Sequence, residues 1–441
     1  MRASCYTPLL LLSTLVLYLT PTEALDNGVV GPPPLGWSTW KTCGDASCTH
    51  DYCDEEEVKA NALAMVNNGM LQLGYDYVLL NDCWASYRDP ATNTLVHDGE
   101  RFPSGMDGLA DWLHNEGFKF GIYTSIGNET CSSGGRDITV PGSEGFFEID
   151  AQTFSDWGID YLKLDFCGNM KTPSYGLPRG KRYHEEFAQA LLEAQATREN
   201  NGPPIFLEVV AGYWFARSDV GEIANSWRFC EDHHDDFQST EEALLCLVDQ
   251  SNEYIDVESS PGAWKYLDLS MVGGEGCSGS PSFTPHCPKQ AFANYKLEFL
   301  TWTILQSPYI ISTDVRNMTD IMTEALLHEE IVGLHQDVTC PPGTLLRHDK
   351  LHKQFLFGRT IGSECQEWLV VVANFSEDDR EVSVSLKEDF GWDAADEEVV
   401  VTVRDVWEEL NLGEVKSGDY EVKVEGGGAE MLRFTKTAYI S

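Results

Sequence analysis

Between Leu35 and about Gln336 the chain alternates short apolar runs with stretches whose apolar residues recur every three or four positions. The short runs are LGWST, YDYVLLN, FKFGIYT, IDYLKLDF, PIFLEVV, SWRFC, WKYLDLSMV and SPYIIST. They are rich in β-branched and aromatic residues and bounded by turn formers, which predicts strands buried on both faces. The intervening stretches read as helices. DEEEVKANALAMVNNGM puts Val58, Ala62, Met65 and Val66 on one face, and the carboxylates Asp54 to Glu57 complement the positive end of its dipole. FAQALLEA groups Phe187, Leu191 and Ala194, and STEEALLCLV opens with Ser239 and Glu242 at capping-box spacing.

Eight strand–helix units in about three hundred residues predict an α/β fold, a (β/α)8 barrel. The rival, a doubly wound open sheet, often carries a Gly-rich phosphate turn after its first strand. Here that strand runs into WKTCGDASC, with no GxGxxG. After about Asp337 the helical period fades. QFLFGRT, EWLVVVANF, EVSVSLKE, EEVVVTVRDVW, DYEVKVEG and AEMLRFTK alternate with turn residues, which predicts an antiparallel β-sandwich. The expected domains are therefore a barrel over 25–336 and a sandwich over 337–441.

The first 24 residues read differently. Arg2 supplies a positive start, Pro8 to Leu19 an apolar core too short to span a bilayer, and Ala24 a small residue for cleavage. That pattern is a secretory signal. No later run of eighteen apolar residues suggests a membrane span. Of thirteen cysteines only Cys5 lies in the signal, and the even remainder reads as a disulfide set in an oxidising compartment. Sequons at Asn128, Asn317 and Asn374 are candidate glycan sites and suit the same route. The destination reads as extracellular, vacuolar or lysosomal. The net charge of −41, from 30 Lys+Arg against 71 Asp+Glu, disfavours nucleic acid and anionic membranes as partners. It also predicts better tolerance of mildly acidic than of alkaline conditions, because an acidic coat repels itself less as pH falls.

In a barrel the strand C-termini aim their side chains into one shared site. They deliver Trp40, Asn81 and Asp82, Tyr123, Lys163 and Asp165, Glu208, Arg228 and Asp232, Asp268, and Asp314. Carboxylates at six of eight strand ends suit a polyhydroxylated substrate or a divalent metal. The ligand-rich run Asp232-His233-His234-Asp235-Asp236 lies on a segment whose consecutive side chains diverge, and no HExxH-like spacing exists, so no metal site is expected. The Gly273–Gly276 loop lacks the Lys-Ser/Thr of a phosphate cradle, and no GxSxG elbow marks a serine hydrolase. Two carboxyl groups across an anomeric carbon would instead cleave a glycosidic bond. Lys163, two residues before Asp165 on one strand face, is expected to hold Asp165 ionised as a nucleophile. Glu231, Asp235 and Asp236 are expected to raise the pKa of Asp232, which suits an acid.

The stretches LGWSTW, LLNDCW, GIYTSIGNETC, YLKLDFC, SWRFCED and SPYIISTD resemble the melibiase-type α-galactosidases of glycoside hydrolase family 27. The resemblance runs from about Leu35 into the C-terminal sandwich. It implies a retaining exo-glycosidase that needs no cofactor, takes terminal α-D-galactosides, and can form a homodimer. It implies Asp165 as nucleophile and Asp232 as acid/base, with Trp40 as an aromatic floor. Asn81 and Asp82 match the pair that holds the 4- and 6-hydroxyls, and Tyr123 and Lys163 match further sugar contacts. Arg228, Asp268 and Glu208 match contacts near the 2-hydroxyl. Disulfides Cys43–Cys83, Cys48–Cys53 and Cys131–Cys167 are implied as well. Two departures stand out. Asn81 replaces an acid usual in the family, so it lacks that charge. Strand five reads LEVVAG where a Trp often follows the Glu, and Ala211 would widen the pocket. β-L-Arabinopyranosidase and α-N-acetylgalactosaminidase activities are therefore the alternatives within the family. A catalytically inactive carbohydrate-binding protein is the alternative of another class.

Overall fold

The computed structural model describes residues 25–40, 53–82, 84–131, 139–176, 178–198, 203–210, 220–248, 258–274, 288–392, 400–415 and 418–437. The proposed signal lies outside these, as do Cys43, Cys48, Cys83 and Ala211. All eight apolar runs form strands: β1 Leu35–Ser38, β2 Tyr75–Leu80, β3 Lys119–Ser125, β4 Tyr161–Asp165, β5 Phe206–Val210, β6 Ser226–Arg228, β7 Trp264–Tyr266 and β8 Tyr309–Ile311. From β1 to β7 each pairs in parallel with the next, and β8 returns to β1 through Leu35↔Tyr309. Between β7 and β8 a parallel bridge, Ser270↔Ile311, closes the ring. The Ser270 amide donates to the Ile310 carbonyl at 2.8 Å, and the Ser312 amide to the Ser270 carbonyl at 2.9 Å. Closure decides the architecture: the sheet is a barrel, not an open doubly wound sheet.

The helices cover it: α1 Glu55–Asn68, α2 Gly105–Asn115, α3 Phe147–Asp156, α4 Gly180–Ala196, α5 Phe237–Leu245, α6 Phe292–Ile304, α7 Asp320–Leu326 and α8 Glu329–Gln336. In α1, Val58, Ala62 and Met65 face inward, and Asp54 caps the helix by accepting from the Glu57 amide at 2.8 Å. α5 begins earlier than its capping-box pattern suggested. Its cap is Asp236, which accepts from the Ser239 amide at 2.8 Å, so Ser239 lies inside the first turn. A hairpin of Ala85–Arg88 and Leu95–His97, not anticipated from the pattern, follows β2. Between β5 and β6 the described residues hold only a short 3-10 turn, Val220–Glu222.

The barrel lumen is packed. Leu79, Tyr161, Phe206, Trp264, Tyr266 and Ile310 form one cluster, with Tyr161 stacked on Phe206 at 4.9 Å between ring centres. Glycine makes room where strands approach: a Cβ at Gly36 would lie 2.3 Å from the Tyr77 carbonyl oxygen. Backbone cannot yield as a flexible side chain would, so Gly36→Ala is expected to cost about 3 kcal/mol. A thermal unfolding scan reads this as a lowered Tm, and an unchanged Tm would refute the packing.

The C-terminal strands form a six-stranded antiparallel sheet and a two-stranded ribbon. Their inward residues, among them Leu356, Val370, Val372, Val384, Val403, Val424 and Phe434, make a core of their own. The sandwich seats on α6 and α5: Lys296 of α6 pairs with Glu430 at 2.9 Å, and Phe237 of α5 stacks on Phe375 at 5.0 Å. Three disulfides are described, Cys131–Cys167, Cys230–Cys246 and Cys340–Cys365, and Cys53 is also disulfide-bonded. These fit an oxidising, secretory environment. Among the described residues no helix is long and apolar enough to cross a membrane. Asn128 and Asn317 are exposed. Asn374 corrects the sequon reading. It is fully buried, and its Nδ2 donates to the carbonyls of Asp378, Val424 and Glu425, so a glycan there is incompatible with the fold.

Candidate active site

The strand C-termini converge on a cleft of about 470 Å³. Trp40, Asn81, Tyr123, Lys163, Asp165, Arg228, Asp232 and Asp268 all line it, each from the strand end that the sequence suggested. Period-two alternation explains this: residues two apart on one strand share the lumen face, so the last inward residue of each strand meets the others at the rim.

Asp165 ends β4 and is only 9% exposed. The Tyr123 hydroxyl donates to its Oδ2 at 2.6 Å, and the Phe166 amide donates to its Oδ1 at 2.6 Å. Burial and the nearby Asp165 and Asp82 charges raise the Tyr123 pKa well above its ordinary value, so the phenol stays a neutral donor. The Cys131–Cys167 disulfide packs beside it, with Cys167 Sγ 3.7 Å from the Tyr123 oxygen. Lys163 was expected to pair with Asp165. Its ion pair is with Glu208 instead, at 3.8 Å. The register sets Lys163 directly opposite Glu208, so the ammonium meets the neighbouring strand before its own.

Glu208 corrects the sequence reading of a sugar contact. It is 1% exposed and absent from the cleft lining, and it accepts a hydrogen bond from the Tyr161 hydroxyl in the lumen below. Val210, two residues on and opposite Arg228, lines the cleft in its place. Asp82 is likewise 2% exposed and lies near Tyr123 rather than on the cleft wall. Asp314 is buried away from the cleft in a forked ion pair with Arg316, which also reaches Glu57 at 2.7 Å.

Asp232 sits half-exposed at the rim. Of the three acidic neighbours, Glu231 lines the cleft beside it, whereas Asp235 accepts from the Tyr295 hydroxyl at 2.6 Å and Asp236 caps α5. Its near partner is the Arg228 guanidinium, whose Nη1 donates to Asp232 Oδ1 and, at 3.2 Å, to Asp268 Oδ2. Burial alone would lower the Arg228 pKa, but the Asp268, Asp232 and Asp165 charges raise it. Asp268 is buried, which would raise its pKa, yet Arg228, Lys163 and the His233 amide hold it below the usual carboxylate range. Its φ of +78° is a left-handed conformation that a non-glycine residue adopts at a cost. Within the run 232–236, His233 is buried, and Asp235 and Asp236 are engaged as above. Cys131, Asp165 and Cys167 lie close together, but both cysteines are spent in their disulfide.

Sequence reasoning missed several lining residues: Phe166, Lys171, Val210, Glu231, His234 and Cys230. Cys230 sits two residues before Asp232, and its bond to Cys246 ties the rim to α5. Glu298, the one carboxylate of the apolar helix α6, is buried, but nothing in its local pattern names the partner it meets.

The buried charges set the pH response. Burial raises Glu208 and Glu298 above the ordinary carboxylate value. Such groups contribute stability that is present below an unfolded value of about 4.5 and lost as pH rises through the folded value. Desolvation pushes His184 and His335 down to about 4. Their contribution is present above about pH 6.5 and lost as pH falls through about 4. The acidic coat adds repulsion on the alkaline side. The expected Tm is highest near about pH 5 to 6 and lower at both pH 4 and pH 8. A Tm that keeps rising from neutral to alkaline pH would contradict this.

The chain matches the family described as alpha galactosidase A (melibiase) over residues 32–337, and the alpha galactosidase C-terminal beta sandwich domain over residues 362–434. It is 28% identical over 441 residues to alpha-galactosidase mel1 of Schizosaccharomyces pombe, covering 95% of this chain and 93% of that protein. It is 33% identical over 316 residues to alpha-galactosidase 2 of Arabidopsis thaliana, covering 71% and 69% respectively. The crystal structure of alpha-galactosidase I from Mortierella vinacea superposes with a TM-score of 0.76 at 25% identity, covering 94% of this chain and all of that one.

Proposed function

The chain belongs to the melibiase-type α-galactosidase family, and on that footing we propose that Asp165 and Asp232 perform a double displacement on a terminal α-D-galactosyl residue. The protein is a glycoside hydrolase that removes terminal α-galactosyl residues. Asp165 attacks the anomeric carbon as the bond to the leaving oxygen breaks, and Asp232 gives that oxygen its proton. Asp232 then takes a proton from water, whose oxygen displaces Asp165 and restores the original anomeric configuration. The supporting observation is that both carboxyl groups line one cleft in unlike settings. Asp165 is buried and fixed by two neutral donors, which leave its charge available. Asp232 is half-exposed at the rim, where a leaving group and then water can reach it.

Trp40 supplies a face for the sugar ring, and Asn81, Tyr123, Lys163, Arg228 and Asp268 supply polar contacts to its hydroxyls. Asp82 and Glu208 support these from below. A signal over 1–24, a barrel over 25–336 and a sandwich over 337–441 complete the proposal. Glycans at Asn128 and Asn317, a homodimer, and an extracellular, vacuolar or lysosomal destination belong to it as well. One observation favours a second reading: Asn81, uncharged, lines the cleft where the family usually has an acid. A sugar lacking the hydroxymethyl group, β-L-arabinopyranose, asks less of that position. A kcat/KM comparison on the two aryl glycosides tests the point. The galactoside is expected to lead, and a strong arabinoside preference would overturn the galactosidase assignment.

A further inference from the structure

Glu298 and His233 are titratable side chains with no exposed surface, and neither lines the cleft. Burying a carboxyl group is costly unless its hydrogen bonds do structural or chemical work. Glu298, on α6, reaches under the end of β7. Its Oε1 accepts from the Ser270 hydroxyl at 2.7 Å and from the Met271 amide at 2.8 Å. Its Oε2 has no hydrogen-bond partner and lies 4.0 Å from His233 Nε2. The His233 ring places Nδ1 2.9 Å from the Leu269 carbonyl and Nε2 3.2 Å from Thr240 Oγ1. Trp302, one turn along α6, packs on that ring at 5.1 Å and donates from Nε1 to the Asp268 carbonyl at 3.0 Å. So α6 grips the backbone of 268–271 on one side, while His233 is bonded into the same segment from the other.

Both sides carry groups of the cleft. His233 follows Asp232 directly, and its amide donates to Asp268 Oδ2 at 2.9 Å. Asp268 in turn shares Arg228 Nη1 with Asp232. The strained left-handed backbone at Asp268 persists only if its surroundings hold it, and Trp302, His233 and Arg228 are those surroundings. We propose that the buried Glu298–His233 pair is a positioning device for Asp232, locking the β6 and β7 C-terminal segments together so that the acid stands where the leaving oxygen departs. The inference rests on Asp232 being the acid/base.

The test separates acid delivery from everything else by leaving group. A sugar leaving group needs protonation in the first step, whereas 2,4-dinitrophenolate does not. kcat/KM reports that first step. Relative to wild type, Glu298→Leu is expected to lower kcat/KM on a disaccharide α-galactoside about 30-fold, and on 2,4-dinitrophenyl α-galactoside less than about 3-fold. Glu298→Gln keeps an acceptor for Ser270 and Met271 and should restore most of the loss. Asp232→Ala is the reference, and if it shows no such split, the assignment of Asp232 fails rather than the role of Glu298. Equal losses on both substrates with Glu298→Leu would overturn the proposal. Should that variant not fold, His233→Gln carries the test: the same split is expected, and its absence overturns the proposal.

Discussion

Asp165→Asn should abolish turnover of an aryl α-galactoside, by on the order of 10⁵-fold in kcat. The substitution removes one oxygen's charge and nothing of the volume. With its oxygen kept toward the Phe166 amide, the Asn can donate from its NH2 to the Tyr123 hydroxyl oxygen, because a hydroxyl accepts as well as donates. Folding should therefore be unaffected, and the loss should fall on bond formation to the anomeric carbon. Because the group is 9% exposed and hemmed by Tyr123, Phe166 and the Cys131–Cys167 disulfide, no other carboxyl can take its place. Activity assays beside a Tm measurement check both halves. Near-normal turnover in a folded variant would remove Asp165 from the mechanism.

Asp232→Ala should behave differently. Acid catalysis typically contributes 10²- to 10⁴-fold, so kcat/KM on a sugar aglycone is expected to fall by about 10³. A dinitrophenyl galactoside should lose far less in its first step, leaving a galactosylated enzyme that water attacks slowly without a base. Azide needs no base, so it should accelerate release and give an azide of retained, α configuration. The half-exposed rim position of Asp232 gives a small anion access to the face that the missing carboxyl served. Arg228, freed of one partner, would keep Asp268. Equal losses for good and poor leaving groups, with no azide response, would mean that Asp232 does not handle the proton.

The barrel was legible because its strands are buried on both faces and so read as unbroken apolar runs between turn formers. The hairpin after β2 was not, since its segments ASYR and LVH are only four and three residues long and carry no sustained apolar run. The rim residues Trp40, Tyr123, Lys163, Asp165, Arg228 and Asp268 followed from strand ends alone. Depth did not. Alternation tells which face a residue takes but not how far along the barrel axis it lies, which is why Glu208 reads as a rim residue and sits one layer below, with Val210 in its place. Pairing across strands was equally hidden: Lys163 and Asp165 share a face, yet register puts Glu208 nearer the ammonium. The Asn374 sequon fails for a like reason, because a tripeptide carries no information on burial. The Glu298–His233 network joins residues 65 positions apart and is invisible to any local pattern.

Covalent trapping tests the central claim most directly. A fluorinated galactosyl donor with a good leaving group slows the second step and lets the glycosyl-enzyme accumulate. Peptide mass spectrometry of the inactivated protein should find one fluorogalactosyl adduct, on Asp165, absent when free galactose protects the cleft. An adduct on another carboxylate, or full inactivation without any adduct, would contradict the account.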